Sequence, residues 1–413
     1  MRKVAVFHPG TQHSWQTARA LQELGRLAFF ATTILYQPDR FPYYLEKLPG
    51  PLGRRLGYEF GRFRASGLDP GLVRTGGAHE WLERAANRAG FPRLARRIDQ
   101  AGNRAFGRMV ARAIEAEDEL DLWGYDQCSR TAFELGRARG RRCILDRTIG
   151  HPRTMNRILG AVREEAPEWF GPGSDPVPDS MIASAEAELT LADLVLAGSP
   201  FAADTLRAER PDIAAKIRVL PYCYDDALFG AQPAPRPVAS AEPVRFLMVG
   251  QITPRKGIHL LLPAFDRLPA GSATLTLVGP VGVPQAVLAR YADRVTIIPT
   301  VPRSQMPAIM AAHHVLVFPS YFEGSALSLI EGLASGLALI QSRNAGNGVT
   351  PATGLLLDEL SVDALAEAML APVRDRDRLD AWRSAAQAEA HRYRFAAYRD
   401  NIARLLAGEL DGH

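Results

Sequence analysis

Short apolar runs alternate with helical patterns along this chain, and this alternation limits the possible folds more than any other feature of the sequence. Strands separated by helical patterns indicate parallel sheets with helices on both faces. The alternation stops at 230–243, a stretch rich in Pro and Ala that lacks apolar periodicity, and then starts again. The sequence therefore predicts an α/β fold of two doubly wound, Rossmann-like domains that face a cleft.

The apolar runs set the predicted domain boundaries. We expect an N-terminal domain over 1–229, a linker over 230–243, a C-terminal domain over 244–390, and a C-terminal helix over 391–413 that returns to the N-terminal domain. A chain of 413 residues is also too long for one ordinary core. The predicted strands are 3–8, 27–36, 120–125, 142–149, 192–198, 217–222, 244–250, 273–279, 295–300, 314–320 and 337–342.

Composition and targeting signals suggest a cytoplasmic protein. Apolar residues make up 47% of the chain and charged residues 23%, as in soluble globular proteins. The three cysteines form no CxxC pair, which argues against a zinc site or a disulfide framework. The first apolar run is too short for a signal-peptide core, and no run reaches the ~20 residues that span a bilayer. A peripheral position at the inner face of a membrane stays open.

The block 41–112 differs from the rest of the chain because it has no strand signal and is strongly basic. It contains 14 Lys and Arg against 6 Asp and Glu, mixed with aromatic residues. We interpret it as an irregular helical insertion. Its charge would attract anionic lipid or another acidic partner, although a solvated arginine-rich helical face is the simpler alternative. No nucleic-acid motif accompanies the charge, so we expect no nucleic-acid partner.

The stretch "VGQITPRKGIHLLL" (249–262) predicts an anion site. Gly250 ends a strand, and Arg255 and Lys256 precede a helix that starts near Gly257. A helix N-terminus offers free N–H groups and a positive partial charge, and Arg and Lys both bind phosphate. The alternative is a solvated loop with an ordinary basic pair.

The stretch "FPSYFEGSALSLIEGLASG" (318–336) carries two glutamates, Glu323 and Glu331, around a predicted helix N-terminus. Eight residues at ~1.5 Å rise span roughly 12 Å, comparable with the distance from a sugar ring across a diphosphate to a ribose. Taken alone, the pair is also explained by an acid that favours the helix dipole and an unrelated second Glu. The residues expected to expose backbone or N–H groups to a phosphate are Gly324, Ser325, Ala326 and Leu327.

Two loops after strands in the first half carry candidate polar groups. In "HPGTQHS" (8–14), Gly10 would allow a ligand to approach, and His13 is either an acceptor-side group or a surface histidine. In "LDRTIGHPRT" (145–154), His151 either contacts the sugar or caps the following helix.

The 318–336 stretch resembles the E-x7-E segment of glycosyltransferase family 4, a group of retaining enzymes with the GT-B fold. The upstream segment 249–265 is similar to the family's lysine-containing segment, although Gln251 stands where the family usually has Arg. The resemblance covers most of 190–370 and hardly touches 41–112. The positions in register are Pro319, Ser320, Glu323, Gly324, Leu327, Glu331, Ala334 and Gly336.

The resemblance implies a retaining transferase that moves a sugar from a nucleotide-diphospho-sugar to a hydroxyl of a glycan or lipid-linked acceptor. It places Glu323 on the donor sugar, Glu331 on the nucleotide ribose, and Lys256 on the leaving diphosphate, with Arg255 taking over from the missing Arg. His151 would lie near the donor sugar. We expect no cofactor and no metal, since no D-x-D motif follows a strand.

Two other functions fit the same fold prediction. One is a nucleotide-sugar epimerase or a phosphorylase, and the other is a non-catalytic subunit that binds a nucleotide sugar. Dependence on an acceptor separates a transferase from an epimerase, and product formation by the purified chain excludes the non-catalytic subunit.

Overall fold

The computed structural model describes residues 2–10, 13–63, 67–76, 78–117, 119–171 and 173–409. Its strands, in chain order, are β1 (Lys3–Phe7), β2 (Leu27–Thr32), β3 (Val73–Thr75), β4 (Leu120–Tyr125), β5 (Cys143–Arg147), β6 (Leu194–Ala197), β7 (Ile217–Val219), β8 (Val244–Val249), β9 (Ala273–Val278), β10 (Val295–Ile298), β11 (Val315–Phe318), β12 (Ala338–Ser342) and β13 (Gly354–Leu357).

Helices separate most of these strands, as the alternating pattern predicts. The α-helices, in chain order, are α1 (Ser14–Glu23), α2 (Pro51–Phe60), α3 (Ala78–Arg88), α4 (Pro92–Glu115), α5 (Arg130–Ala138), α6 (Pro152–Glu165), α7 (Asp179–Leu191), α8 (Pro200–Glu209), α9 (Asp226–Phe229), α10 (Ile258–Asp266), α11 (Gln285–Leu288), α12 (Met306–Ala311), α13 (Leu327–Ala334), α14 (Val362–Arg374), α15 (Arg376–Ala390) and α16 (Phe395–Ala407). Within the described ranges, no helix combines the length and the apolar character needed to span a bilayer.

The strands form two sheets with the same internal order. The first follows β3-β2-β1-β4-β5-β6-β7 and the second β10-β9-β8-β11-β12-β13. The neighbouring strands of the second sheet all pair in parallel. In each sheet the order reverses beside the first strand, between β1 and β4 and between β8 and β11. Such a reversal is the switch point at which doubly wound sheets bind ligands.

The second sheet is covered by apolar side chains on both faces. Along β8, Phe246 and Met248 belong to one buried cluster, which also takes in α10 and α14. Leu247 belongs to another cluster, which takes in α13 and part of α15. Because successive side chains of a strand point to opposite faces, this alternation confirms a doubly wound arrangement.

Two strands are missing from the sequence prediction. β3 lies inside the block 41–112, which the sequence analysis had described as free of strand signals, and it pairs in parallel with β2. β3 has only three residues, and its pairing partner is about forty residues away, so no local pattern marks it. β13 has only four residues, begins directly after a loop and pairs with β12. The rest of the block contains α2, α3 and α4, which agrees with a helical insertion.

The compact units of the chain differ from the predicted division at residue 229. One unit comprises Met1–Arg147, Ala183–Leu196 and Asn401–Leu410, and the other Thr148–Ile182 and Ala197–Asp400. Some segments before residue 229, which the prediction assigned to the N-terminal domain, belong to the second unit. They form hydrogen bonds with residues that lie later in the chain. The Ser199 hydroxyl donates to the Gly324 carbonyl, and the Phe395 N–H donates to Asp226 over 3.1 Å. The end of α16, from Asn401 onwards, groups with the first unit.

Candidate active site

The predicted donor residues lie in the second unit, on the two loops that leave its switch point. Lys256 lies in the loop between β8 and α10, and Glu323 in the loop between β11 and α13. β8 and β11 are paired neighbours, so both loops start at the same edge of the sheet. The strand order alone therefore brings these two side chains together.

Backbone contacts hold the two loops against each other. The Tyr321 N–H donates to the Arg255 carbonyl over 2.8 Å. Gly257 adopts a φ of 75°, and a Cβ at this position would overlap the carbonyl of Pro319. Only glycine tolerates both the left-handed conformation and this close approach. The glycine after Arg255 and Lys256 therefore fixes the distance between the loops.

Lys256, Arg255 and Glu323 form one ion cluster. The Glu323 Oε1 atom lies 2.7 Å from Lys256 Nζ and 2.5 Å from Arg255 Nη1. Arg255 Nη1 also donates to the Phe322 carbonyl over 2.8 Å. Lys256 and Glu323 are both buried, at 7% and 8% exposure. Two cations against one carboxylate leave a net positive charge at the C-terminal edge of the sheet, as an anion site requires.

Burial shifts the pKa of Lys256. Desolvation lowers the pKa of Lys256, and the neighbouring carboxylate of Glu323 partly opposes that shift. The ammonium also lies 4.3 Å from the ring centre of Phe318, at cation–π distance. Gly250 leaves room beside the same side chain, because a Cβ there would lie 3.4 Å from Lys256 Cε. A phosphate that replaced Glu323 as the partner would raise the lysine's pKa and keep it charged.

Glu331 lies inside α13, paired with a residue that the sequence analysis missed. Its carboxylate is buried, and its Oε1 atom accepts a bond from Arg303 Nη2 at 2.5 Å. Burial raises the pKa of Glu331, while Arg303 lowers it. Arg303 follows β10, so its position in a loop after a strand is a signal that the sequence offers. The pairing itself, across 28 positions, leaves no local signal.

The start of α13 differs from the prediction. The helix begins at Leu327, after two of the residues expected to offer first-turn N–H groups, and the Ala326 N–H donates to the Ala345 carbonyl over 3.1 Å. Ala326 is thus already bonded and was wrongly expected to offer its N–H to a phosphate. Ser325 precedes the helix, and its Cα lies 3.0 Å from where a Cβ on Gly346 would stand. The first-turn N–H groups of the helix start at Leu327.

Gly324 serves a different purpose from the one predicted. A Cβ at this position would overlap the carbonyl of Thr148. The close approach is therefore made by the protein's own backbone rather than by a ligand. The missing side chain is needed to seat the loop of Glu323 against the start of the segment that leads to α6.

His151 is the N-cap of α6, which was one of its two predicted roles. Its Nδ1 accepts a hydrogen bond from the Arg153 N–H at 3.2 Å, and its own N–H donates to Thr205 Oγ1 at 2.9 Å. The side chain is fully buried. Because Nδ1 acts as an acceptor, the neutral ring carries its proton on Nε2. The Nε2–H group can then donate a hydrogen bond to an oxygen of a ligand.

In the first unit, Gly10 and His13 follow β1 as predicted, while Thr11 and Gln12 between them lie outside the described residues. His13 is 5% exposed, so the expectation of a surface histidine was wrong. Its Nε2 lies 3.6 Å from Asp146 Oδ2. The Gly10 N–H donates to His8 Nδ1 at 2.9 Å, which folds the loop back on β1.

Buried charges around His13 were not identified from the sequence. Asp146 Oδ2 also accepts a bond from Trp123 Nε1 at 3.3 Å, and Arg147 Nη1 lies 3.7 Å from Asp126 Oδ2. Asp126 directly follows β4, and Asp146 and Arg147 end β5, so the three lie at the C-terminal edge of the first sheet. In the predicted strand 142–149, the charges of Asp146 and Arg147 after an apolar run are the signal that the sequence offers.

The segment of this chain that matches a known protein family lies in the second unit. Residues 243–375 match the family described as glycosyl transferases group 1. The chain is 31% identical over 152 residues to the O-antigen chain mannosyltransferase B of Escherichia coli, covering 34% of this chain and 39% of that protein. It is 27% identical over 216 residues to the D-inositol 3-phosphate glycosyltransferase of Segniliparus rotundus, covering 48% of each. The chain thus spans less than half the length of either relative.

Solved structures match almost the whole chain at low sequence identity. Anabaena HepE in complex with UDP-glucose has a TM-score of 0.62 at 14% identity, and covers 99% of this chain and 100% of its own. The sucrose-phosphate synthase of Thermosynechococcus elongatus has a TM-score of 0.61 at 18% identity, covering 99% of both chains. These likenesses confirm the predicted GT-B fold.

Proposed function

We propose that this protein is a retaining glycosyltransferase that uses a nucleotide-diphospho-sugar and transfers the sugar to a hydroxyl of a glycan or lipid-linked acceptor. The observation that carries the proposal is the buried cluster of Lys256, Arg255 and Glu323 at the switch point of the second sheet. This cluster has the net positive charge that a diphosphate needs. It lies inside the segment that matches glycosyl transferases group 1.

The donor would displace the internal ion pair. Its diphosphate takes Lys256 as a partner, and Glu323, released from part of its pairing, accepts hydrogen bonds from hydroxyls of the donor sugar. Glu331 binds the ribose hydroxyls in the same way, with Arg303 holding the carboxylate in place. UDP and UDP-glucose occupy the solved structures of HepE, which supports a nucleotide sugar as the donor.

The proposed chemistry is electrostatic. The bond between the anomeric carbon and the diphosphate oxygen breaks, and the acceptor oxygen attacks the same face of the sugar. The acceptor proton passes to the departing diphosphate. Lys256 stabilises the negative charge that develops on this leaving group, in a buried site where such interactions are strong. The reaction as proposed uses no cofactor and no metal.

His151 is proposed to donate its Nε2 proton to an oxygen of the donor sugar. His151→Asn tests this role, because Asn is a good N-cap and keeps the start of α6 while removing Nε2. We expect kcat/KM to fall roughly tenfold at an unchanged melting temperature. His151→Ala should lower both. Equal activity of His151→Asn and the wild type would contradict a contact with the donor sugar. The function of His151 would then be to cap α6.

The overall test is turnover by the purified chain with UDP-, GDP- and ADP-sugars, with and without glycan acceptors. We expect one nucleotide class to yield a glycoside that retains the donor's anomeric configuration, as read by NMR. Acceptor-independent change of the sugar would support the epimerase, and a product of inverted configuration would contradict retention. Donor binding without any product would support the non-catalytic subunit.

We further propose contact with an anionic membrane through 41–112, which would place the protein at the inner face of the membrane. Large apolar side chains are exposed beside arginines in this block: Phe91 is 60% and Leu94 50% exposed, next to Arg93 and Arg97 on α4. Exposed apolar groups among cations are typical of interfacial helices. Co-sedimentation with vesicles should rise with the fraction of anionic lipid, and should drop for Phe91→Ser/Leu94→Ser. Equal binding to neutral vesicles would contradict the proposal.

A further inference from the structure

The first unit contains a cavity of about 370 Å³ that none of the predicted site residues line. Its walls come from the chain that continues β2, with Thr33, Gln37 and Arg40, and from the insertion, with Tyr43, His79 and Trp81. The volume falls within the roughly 300–1,000 Å³ of small-molecule sites. The cavity adjoins the loop of Gly10, since the Thr33 N–H donates to the Pro9 carbonyl over 3.3 Å.

Gln37 is the polar group that marks this cavity as a binding site. Its side chain is 7% exposed, and neither its amide nitrogen nor its amide oxygen has a hydrogen-bond partner among the described residues. Buried amides are nearly always hydrogen-bonded, because leaving them without a partner is costly. A ligand hydroxyl both donates and accepts, so a pair of ring hydroxyls would satisfy both ends of this amide.

Aromatic side chains form the apolar part of the wall. Tyr43 is 5% exposed, and its ring centre lies 5.8 Å from that of Trp81, at a steep angle of 81°. Further contacts with Phe60 and Tyr36, at 5.2 and 5.3 Å, lock Tyr43 in position. A lining that combines packed aromatic rings with a buried amide suits a ring that is apolar on its face and polar at its edge. Sugars have this character.

The charge of the lining selects among sugars. Arg40 is exposed, His79 is half-buried, and the described residues that line the cavity include no Asp or Glu. Glu80, whose carboxylate accepts a bond from the Thr33 hydroxyl over 3.5 Å, is paired with Arg84 at 2.8 Å. The lining therefore offers the cation of Arg40, which favours a ligand that carries negative charge.

We propose that this cavity binds one acidic sugar residue of the acceptor, whose ring hydroxyls bond to Gln37 and whose carboxylate or phosphate lies near Arg40. This assignment rests on the proposed glycosyltransferase function, since it makes the insertion a specificity element for the acceptor. It also gives the block 41–112 a role besides membrane contact.

The test measures binding to the full chain without any donor, so that it does not depend on transfer activity. The probes are methyl glucuronide, glucose 6-phosphate, methyl glucoside and inorganic phosphate. Ligand-observed NMR measures the binding of each probe. We expect the wild type to bind the two acidic sugars more tightly than the neutral one or phosphate alone. Preference for the glucuronide or for the phosphosugar identifies which anionic group is used.

Two variants locate the binding. Gln37→Met keeps the side-chain volume and should weaken both acidic sugars roughly three- to tenfold, whereas Gln285→Met, which alters an exposed amide of the second unit, should leave binding unchanged. Arg40→Gln should abolish the preference for acidic over neutral sugar. Gln37→Met should also melt no lower than the wild type, because it removes a buried amide without partners.

Equal affinities of Gln37→Met and the wild type would overturn the proposal, as would the absence of binding by every probe at millimolar concentration. Phosphate binding that matches the sugars would reduce the site to an anion site and overturn it as well. Loss of transferase activity in the turnover assay with these binding results intact would instead contradict the proposed function alone.

Discussion

The two switch points of this molecule share one strand order and differ in the charges they hold. In the second unit, the loops after β8 and β11 bring Lys256 and Arg255 onto one carboxylate, Glu323, and leave a net positive charge. In the first unit, the loop after β1 carries His13, whose Nε2 lies 3.6 Å from Oδ2 of Asp146, a buried carboxylate at the end of β5. The same scaffold thus holds an excess of cations at one edge and a buried His–Asp pair at the other.

The difference shows that topology places loops, whereas the residues in them choose the ligand. The carboxylate of Asp146 would repel a diphosphate, whereas the cations of Lys256 and Arg255 would attract one. This difference favours the proposed assignment of the donor to the second unit and of the acceptor to the first. Substitutions at one edge should therefore leave the kinetic constants of the other substrate nearly unchanged.

Removing Lys256 should cause the largest loss. Lys256→Ala deletes the buried ammonium that faces the leaving diphosphate, and we expect kcat/KM for the donor to fall roughly 100- to 1,000-fold. Lys47→Ala is the matched control, because Lys47 forms an exposed pair with Asp39 at 3.1 Å. Steady-state kinetics at saturating acceptor would measure both. Activity of Lys256→Ala within a factor of three of the control would contradict the anion site.

The two glutamates should separate into different kinetic effects. Glu323→Gln should lower kcat by roughly 10- to 100-fold, because a charged acceptor of sugar hydroxyls becomes neutral. Glu331→Gln should mainly raise the donor KM, by roughly tenfold. Glu367→Gln, which removes an exposed partner of Arg374, is the control. If Glu331→Gln lowered kcat at an unchanged donor KM, its assignment to the ribose would be wrong.

These assignments were accessible from sequence because the motif is local. Lys256 and Glu323 each follow an apolar run and precede a helix, so the sequence pattern alone predicts that both lie at a strand end. Arg303 escaped notice because its partner, Glu331, is distant in sequence. The pairing of Asp146 with His13 was missed for the same reason, since it joins the end of β5 to the loop after β1, which are far apart along the chain.

The insertion was the least predictable part for a related reason. Its helices have a local signal, but β3 depends on pairing with β2, and the cavity at Gln37 depends on which aromatic rings of 41–112 fold over it. The start of α13 also depended on a distant bond, from Ala326 to Ala345. Local patterns predict elements, whereas contacts between loops decide which polar groups stay available.

Substitution of Gly324 tests whether the loop of Glu323 depends on close backbone packing. Gly324→Ala would push a methyl group into the Thr148 carbonyl, so we expect the free energy of unfolding to fall by about 1–3 kcal/mol. Gly160→Ala is the control, because a Cβ in that position of α6 meets no atom within 4 Å. It should stabilise the chain by about 0.5–1 kcal/mol. Chemical denaturation would measure both variants, and similar stabilities would mean that the loop moves aside freely.

The substitution with the smallest expected effect, at His13, tests the loop after β1 in the first unit. His13→Gln puts an amide nitrogen near the place of the imidazole Nε2 and so keeps a donor for Asp146, while it alters the shape of the loop after β1. We expect the acceptor KM to rise roughly three- to tenfold, with the donor KM unchanged. His391→Gln, at an exposed site, should change neither constant.

Donor hydrolysis in the absence of acceptor makes this last comparison decisive. If the first unit handles only the acceptor, His13→Gln should hydrolyse the donor at the wild-type rate, because the ion cluster of Lys256 and Glu323 is untouched. A parallel fall in hydrolysis and in transfer would mean that the buried polar cluster around His13 also shapes donor chemistry. The charges at the two edges would then act together, and the assignment of one substrate to each unit would have to be abandoned.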